Sequence, residues 1–321
     1  MQGVLTMNLK CKSAWLALGL MVALVLPLSA ISPLPAQEAA AAETALTDTK
    51  VPLAAAAEVT LTSTKVPLAA ATSATVAVVE NPYYTTVNGT PMTIDPMLTA
   101  IDGVTYASLR NLCSVLVPGA QVTWSNGTAT VYKEGVLSLT AVPGQDYVVA
   151  NGRYLPTAGI VARDGALLMP LNTIVKATDA TCTWDNGHLV LTTGSGGILS
   201  GDQYYNADDL YWLSRIIYAE SGNQPLSGKI AVGNVVLNRV KSPRFPNSVY
   251  GVIFQRNQFS PVKNGSIKRT PNAESVMAAK LCLDGAVELN NVLWFNRAGL
   301  KSWASRNCTL VATIAQHSFY A

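Results

Sequence analysis

The 321-residue chain reads as a multidomain α+β protein, with a β-rich module over residues 81–194 and a mainly α-helical module over residues 206–321. From about residue 83 to 194, short β-type runs alternate with Asn-Gly and Asp-Gly turns, the signature of tight strand reversals. Beyond residue 205 the apolar spacing becomes helical. The charge also changes sign: residues 203–321 hold 13 Lys+Arg against 6 Asp+Glu, net +7, whereas residues 37–202 hold 7 against 13, net −6. The overall +3 conceals this division, and an apolar content of 49% with 13% charge excludes a disordered chain.

The N-terminus has the order of a secretory signal. Lys10 and Lys12 precede an apolar run from Ala14 to Ile31, and Pro33-Leu34-Pro35-Ala36 offers a small residue at the cut. Residues 1–36 are therefore expected to be removed after Ala36, and the mature protein to be secreted. The alternative is a retained anchor, since about 18 apolar residues reach the lower edge of a membrane span; only an uncleaved signal would bring a membrane partner. Residues 37–80 form an Ala/Thr-rich linker in which Thr49-Lys50-Val51-Pro52-Leu53-Ala54-Ala55 recurs as Thr64-Lys65-Val66-Pro67-Leu68-Ala69-Ala70, too short to bury a core.

Within 81–194 one order of signals occurs twice. Asn88-Gly89, Asp102-Gly103 and Trp124-Ser125-Asn126-Gly127 are answered by Asn151-Gly152, Asp164-Gly165 and Trp184-Asp185-Asn186-Gly187. The Asp-Gly pairs lie 62 residues apart and the tryptophans 60. A duplicated unit is expected, each copy ending in a short helix (Ser108 to Leu116; Leu171 to Ala177) and a hairpin. Tyr106-Ala107-Ser108-Leu109-Arg110, Val122-Thr123-Trp124 and Thr128-Ala129-Thr130-Val131 resemble the copper amine oxidase N-terminal-like domain. In the second copy Met169-Pro170-Leu171-Asn172 departs from that pattern. Trp124 and Trp184 have faces suited to sugar rings, but their equivalent positions favour a structural role. Gly194 to Gly201 begins a Gly/Ser linker, taken as 195–205.

Asp208 to Ser221 spaces Leu210, Leu213, Ile217 and Tyr218 as an amphipathic helix with acidic residues at its start. Glu220 continues the apolar stripe in the last turn. Two readings compete: a core carboxylate neutralised by an arginine, or a proton donor whose pKa burial raises. Of the other acids, Asp208 and Asp209 lie about 16–18 Å away along the helix at ~1.5 Å per residue. Glu274 falls in the first turn of a helix begun by Thr270 and Pro271, and Asp284 and Glu288 read as solvated. No second carboxylate is evident.

Ala219-Glu220-Ser221-Gly222, then Gly228-Lys229-Ile230-Ala231-Val232-Gly233-Asn234-Val235-Val236-Leu237-Asn238-Arg239-Val240, resemble the SleB/CwlJ-type cell wall hydrolases, the spore cortex-lytic enzyme family. The likeness runs on through Gln258-Phe259-Ser260, Trp294-Phe295-Asn296 and His317-Ser318-Phe319. It implies a lysozyme-like catalytic domain that cleaves peptidoglycan glycan strands between N-acetylmuramic acid and N-acetylglucosamine, with Glu220 as the acid/base. A lone glutamate points further to a lytic transglycosylase; a hydrolytic muramidase or glucosaminidase and a non-catalytic wall-binding protein stand as alternatives. Gln258, Phe259, Ser260, Trp294 and Asn296 are the expected substrate-binding residues. Asn238 and Arg239 are expected to support them and His317 to be structural, while Arg297 stands where relatives often carry proline.

No cofactor or metal is implied: no CxxC spacing occurs, and His188 and His317 are the two histidines. The export signal favours the anionic cell wall over nucleic acid as partner of the basic module. Loss of Cys11 leaves Cys113, Cys182, Cys282 and Cys308, with a Cys282–Cys308 bridge expected against the alternative of buried thiols.

Overall fold

A computed structural model describes residues 85–321. The expected signal and the Ala/Thr linker lie outside the described residues. The chain enters through β1 (Thr85–Val87), β2 (Thr90–Pro91), β3 (Thr99–Ile101) and β4 (Val104–Ser108), which leads into helix α1 (Leu109–Leu116). A five-stranded antiparallel meander follows in chain order: β5 (Gln121–Ser125), β6 (Thr128–Lys133), β7 (Leu137–Ala141), β8 (Tyr147–Ala150) and β9 (Arg153–Pro156). Then β10 (Val161–Arg163) and β11 (Ala166–Pro170) precede α2 (Leu171–Ala177), and the hairpin of β12 (Thr181–Asp185) and β13 (His188–Thr192) closes the module.

Local chemistry explains these elements. Asn126 and Asn186 have φ of 51° and 49°, and Gly127 and Gly187 have 74° and 84°. Two consecutive positive φ angles are what a two-residue hairpin turn requires. Ser108 caps α1, its hydroxyl accepting from the Asn111 amide, whereas α2 starts at Pro170 without a side-chain cap. β4 and β11, the strands that feed the two helices, pair antiparallel with Ala107 opposite Met169. β1 pairs parallel with β13. Leu109, Leu112, Leu116, Ile174 and Ala177 from the helices fill one core with Val131, Leu139, Leu155, Leu189 and Leu191 from the sheets.

The glycine-rich segment after β13 is packed against the β-rich module rather than free. A Cβ on Gly194 would fall 1.7 Å from the Asp179 carbonyl oxygen, and one on Gly197 would fall 2.2 Å from that of Val136. Asn151 clamps the segment by donating to the Ile198 carbonyl, and the Gly201 amide donates to the Asn151 carbonyl.

The C-terminal module opens with α3 (Gly201–Tyr204), α4 (Ala207–Ser221), α5 (Leu226–Lys241), α6 (Val249–Phe254) and α7 (Ser260–Asn264). After a 3-10 turn, Ser266–Lys268, comes α8 (Ala273–Leu283). Helices α4, α5 and α8 pack mutually around Leu213, Ile217, Val232, Ala278 and Leu281. The last part is not helical as expected: β14 (Trp294–Arg297), β15 (Leu310–Ile314) and β16 (His317–Tyr320) form an antiparallel sheet in the order β14-β16-β15, with α9 (Trp303–Asn307) between β14 and β15. Arg297 ends β14 opposite His317, so the position where relatives often carry proline is a strand end here.

Two expectations are corrected. Asp284 is not solvated: its side chain is 0% exposed and forms an ion pair with Arg153 of β9. Tyr205 donates to it at 2.5 Å, and Lys176 of α2 donates to its carbonyl at 3.2 Å. The carboxylate at the end of α8 thus joins the two modules. The Cys282–Cys308 bridge is absent as well; all four described cysteines are free thiols, and Cys282 is enclosed between α5 and α8, where burial pushes its thiol up to about 12.

Candidate active site

Helix α4 positions Glu220. Asn206 caps the helix by accepting from the Asp209 amide, and Asp208 and Asp209 complement the positive end of its dipole. Leu213, Ile216 and Ile217 anchor its inner face. Ser221 is buried and returns its hydroxyl to the Ile217 carbonyl at 2.7 Å, and the helix stops at Gly222.

Glu220 is half-buried and makes no ion pair among the described residues. Burial alone pushes its carboxyl up to about 7. Desolvation penalises the ionised form, and no cation offsets that penalty. The arginine-neutralised alternative has no support in this geometry.

The turn after Glu220 is held from both sides. Lys229 of α5, 1% exposed at its side chain, donates to the Gln224 carbonyl and pairs with Glu274 of α8 at 2.7 Å. The Gln224 side-chain oxygen accepts from the Gln316 amide in the β15–β16 turn at 3.1 Å. Glu274 does lie in the first turn of a helix, though Asn272 rather than Thr270 or Pro271 caps it. Sequence reasoning missed Lys229, because a lysine within an apolar run looks like a surface residue until its partner 45 positions away is known.

Helix α5 orients the strand that follows. Asn234 donates to the Ala286 carbonyl and accepts from the Glu288 amide, Asn238 donates to the Val292 carbonyl, and Arg239 donates to that of Leu293 at 2.8 Å. These bonds fix the entry to β14. Burial lowers the Arg239 guanidinium to about 10.

The expected binding residues fall into two groups. Phe259 is buried, with its ring centroid 6.4 Å from Phe295 and 5.2 Å from the Arg239 guanidinium, while Gln258 and Ser260 on either side of it are exposed. Trp294 and Asn296 share the other face of β14. Trp294 packs on Trp303, Phe245 and the Arg244 guanidinium. Asn296 donates to the Ser302 hydroxyl and the Leu300 carbonyl, leaving its own buried oxygen without a partner among the described residues. His317 sits against Phe295 at 5.2 Å, its pKa lowered by burial. Strand β14 therefore puts Phe295 beside Phe259 and turns Trp294 and Asn296 toward α9. The paired-aromatic framework was not anticipated, because Phe259 and Phe295 lie 36 residues apart and no local pattern joins them.

Residues 223–320 match the family described as Cell Wall Hydrolase, and residues 86–193 match the Copper amine oxidase N-terminal domain. The helical module is thus a cell wall hydrolase domain, joined to a copper amine oxidase N-terminal-type domain. The matched hydrolase segment starts three residues past Glu220. Among particular relatives, the spore cortex-lytic enzyme of Bacillus cereus is 37% identical over 91 residues, 28% of this chain and 35% of that protein. That of Oceanobacillus iheyensis is 32% identical over 103 residues, 32% of this chain and 37% of the relative. The chain therefore spans about a third of the length of these curated relatives. Among solved structures, the catalytic domain of the Bacillus cereus SleB protein is 32% identical over 36% of this chain and 92% of its own length, with a TM-score of 0.35.

Proposed function

We propose that this protein is an exported enzyme that cleaves peptidoglycan glycan strands between N-acetylmuramic acid and N-acetylglucosamine, in cell wall or spore cortex, as a single-glutamate lytic transglycosylase. The observation that carries the reading is Glu220: a half-buried carboxyl raised to about 7, unpaired, at the end of a helix whose following turn is pinned on two sides. Membership of the cell wall hydrolase family supplies the substrate class.

In this mechanism protonated Glu220 gives its proton to the glycosidic oxygen as the bond to muramic C1 breaks. The resulting carboxylate takes the proton of the same residue's 6-hydroxyl as that oxygen bonds to C1. The 1,6-anhydro ring closes, the acid is regenerated and no water is consumed. Hydrolysis ordinarily uses a second carboxylate within about 10 Å to activate or replace water. The other acids of this module are occupied elsewhere: Asp208 and Asp209 at the far end of α4, Glu274 on Lys229, Asp284 on Arg153, and Glu288 exposed beyond α8.

Gln258, Ser260 and Asn296 provide amide and hydroxyl groups for N-acetyl and hydroxyl substituents, and Phe259 and Trp294 provide apolar walls. The domain plan, the duplicated origin of the β-rich module and a lysozyme-like arrangement of the helices belong to the same proposal. The pairing of β4 with β11 favours the duplication, because the strands that feed equivalent helices lie side by side.

Incubating the full chain and its Glu220→Gln variant with peptidoglycan, then identifying soluble products by mass spectrometry, tests the reading. Anhydro-muramic ends from the wild type alone are expected. Reducing ends would replace transglycosylation by hydrolysis, and release by neither protein would leave a wall-binding protein.

A further inference from the structure

A groove of about 580 Å³ opens on the β-rich module, between the first turn of α1, strand β5 and the β10–β11 hairpin. That volume lies within the ~300–1,000 Å³ range of small-molecule sites. Trp124 lines it and is 52% exposed, with no ring stacked on it among the described residues. Its position follows from strand alternation. Val122 and Trp124 share a face of β5; Val122 packs on the core, and Trp124, nearer the turn, extends past the core's edge. Arg110 stands exposed in the lining without an ion pair among the described residues, next to Asn111, whose amide nitrogen is held by the Asp95 carbonyl so that its oxygen is free to accept.

We propose that this groove is a second glycan-binding site, taking the alternating N-acetylglucosamine and N-acetylmuramic acid strand of peptidoglycan, with Trp124 as stacking platform and Arg110 meeting the muramyl lactyl carboxylate. An indole offers a flat apolar face to the C–H face of a pyranose. A guanidinium forms charge-assisted bonds with a carboxylate, so Arg110, without an ion pair among the described residues, complements the muramyl lactyl group. Asn111 supplies a hydrogen-bonding group along the same wall. The inference rests on peptidoglycan being the substrate. The Arg153–Asp284 ion pair links the module that carries the groove to the module that carries Glu220.

The test uses the full chain carrying Glu220→Gln, titrated calorimetrically with peptide-free glycan-strand fragments. Two sites per chain are expected. Adding Trp124→Ala should remove one site or weaken it at least tenfold, whereas Trp184→Ala, a tryptophan equally exposed at 50% but outside the groove, should leave both intact. Arg110→Ala should weaken binding of these fragments but not of N-acetylglucosamine oligomers, which lack the carboxylate. Binding unchanged by Trp124→Ala and Arg110→Ala, or reduced alike by Trp184→Ala, overturns the proposal. So does Trp124-dependent binding of free stem peptide in place of glycan, which would point to peptide pairing on the edge strand β5. Product release by the wild-type chain is scored separately. Cleavage with Trp124-independent binding removes only the groove, and Trp124-dependent binding without cleavage removes only the catalytic reading.

Discussion

At the scale of single residues, Glu220 couples chemistry to stability in opposite directions. Its carboxyl titrates near 7 in the folded chain and near 4.5, the ordinary value, when unfolded, because burial disfavours the charge. The folded state therefore binds the proton more tightly, and stability contributed by the neutral group is full below about 4.5 and lost as pH rises through 7. Glu220→Gln keeps the shape without the charge. The variant should unfold at higher denaturant concentration than wild type at pH 8, by about 1–3 kcal/mol, and the two should converge at pH 4. Cleavage needs the protonated acid, so wild-type kcat/KM should fall above pH 7, and below pH 7 the variant should lose roughly 10²–10⁴-fold. Equal stability of the two proteins at pH 8 would show that the carboxyl is not desolvated. The candidate acid was legible in sequence through helical spacing and its motif. Its lack of a counter-ion was not, because an arginine anywhere in the chain could have reached it.

Among the elements, the crossing of α4, α5 and α8 depends on Gly233. A Cβ there would lie 2.6 Å from the Cys282 sulfur and 3.1 Å from the end of Ile217, so the three helices meet at a point that admits only hydrogen. Both neighbours are buried and cannot swing aside, and overpacking of this kind costs ~1–3 kcal/mol. Gly233→Ala should lower the melting temperature despite alanine's better helix propensity; a variant as stable as wild type would mean that the helices separate freely. The sequence showed this face as a small-residue stripe, and α1, α2 and α4 were legible within a residue or two from caps and periodicity. The sheet of β14, β15 and β16 was not. Trp294 to Arg297 is too short to display a period, and its partner β16 lies some twenty residues on, past α9.

For the whole molecule, the sequence division into an acidic front and a basic back suggested two modules on a Gly/Ser linker, a segment that is closely packed in the structure. Gly194, Gly197 and Gly201 look like a flexible tether but are small because backbone carbonyls press on them. Asp284 looks solvated beside Gly285, yet it is enclosed by Arg153, Tyr205 and Lys176, partners between 79 and 131 residues away that no local pattern reveals. Burial and this bond raise the pKa of the Tyr205 hydroxyl, which keeps it a donor across the neutral range. Removing one member of a buried pair strands the other, at ~3–5 kcal/mol, whereas replacing both by apolar groups of similar size is often neutral. Asp284→Ala should therefore lower the unfolding temperature strongly and split a single calorimetric transition into two, as the modules lose their shared contact. Arg153→Met combined with Asp284→Leu should recover most of the stability and the single transition. If Asp284→Ala melts like wild type, the modules are held together by the packed glycine segment and the remaining contacts at β9, such as Lys280 donating to the Gly152 carbonyl and the Tyr154 amide donating to Tyr205.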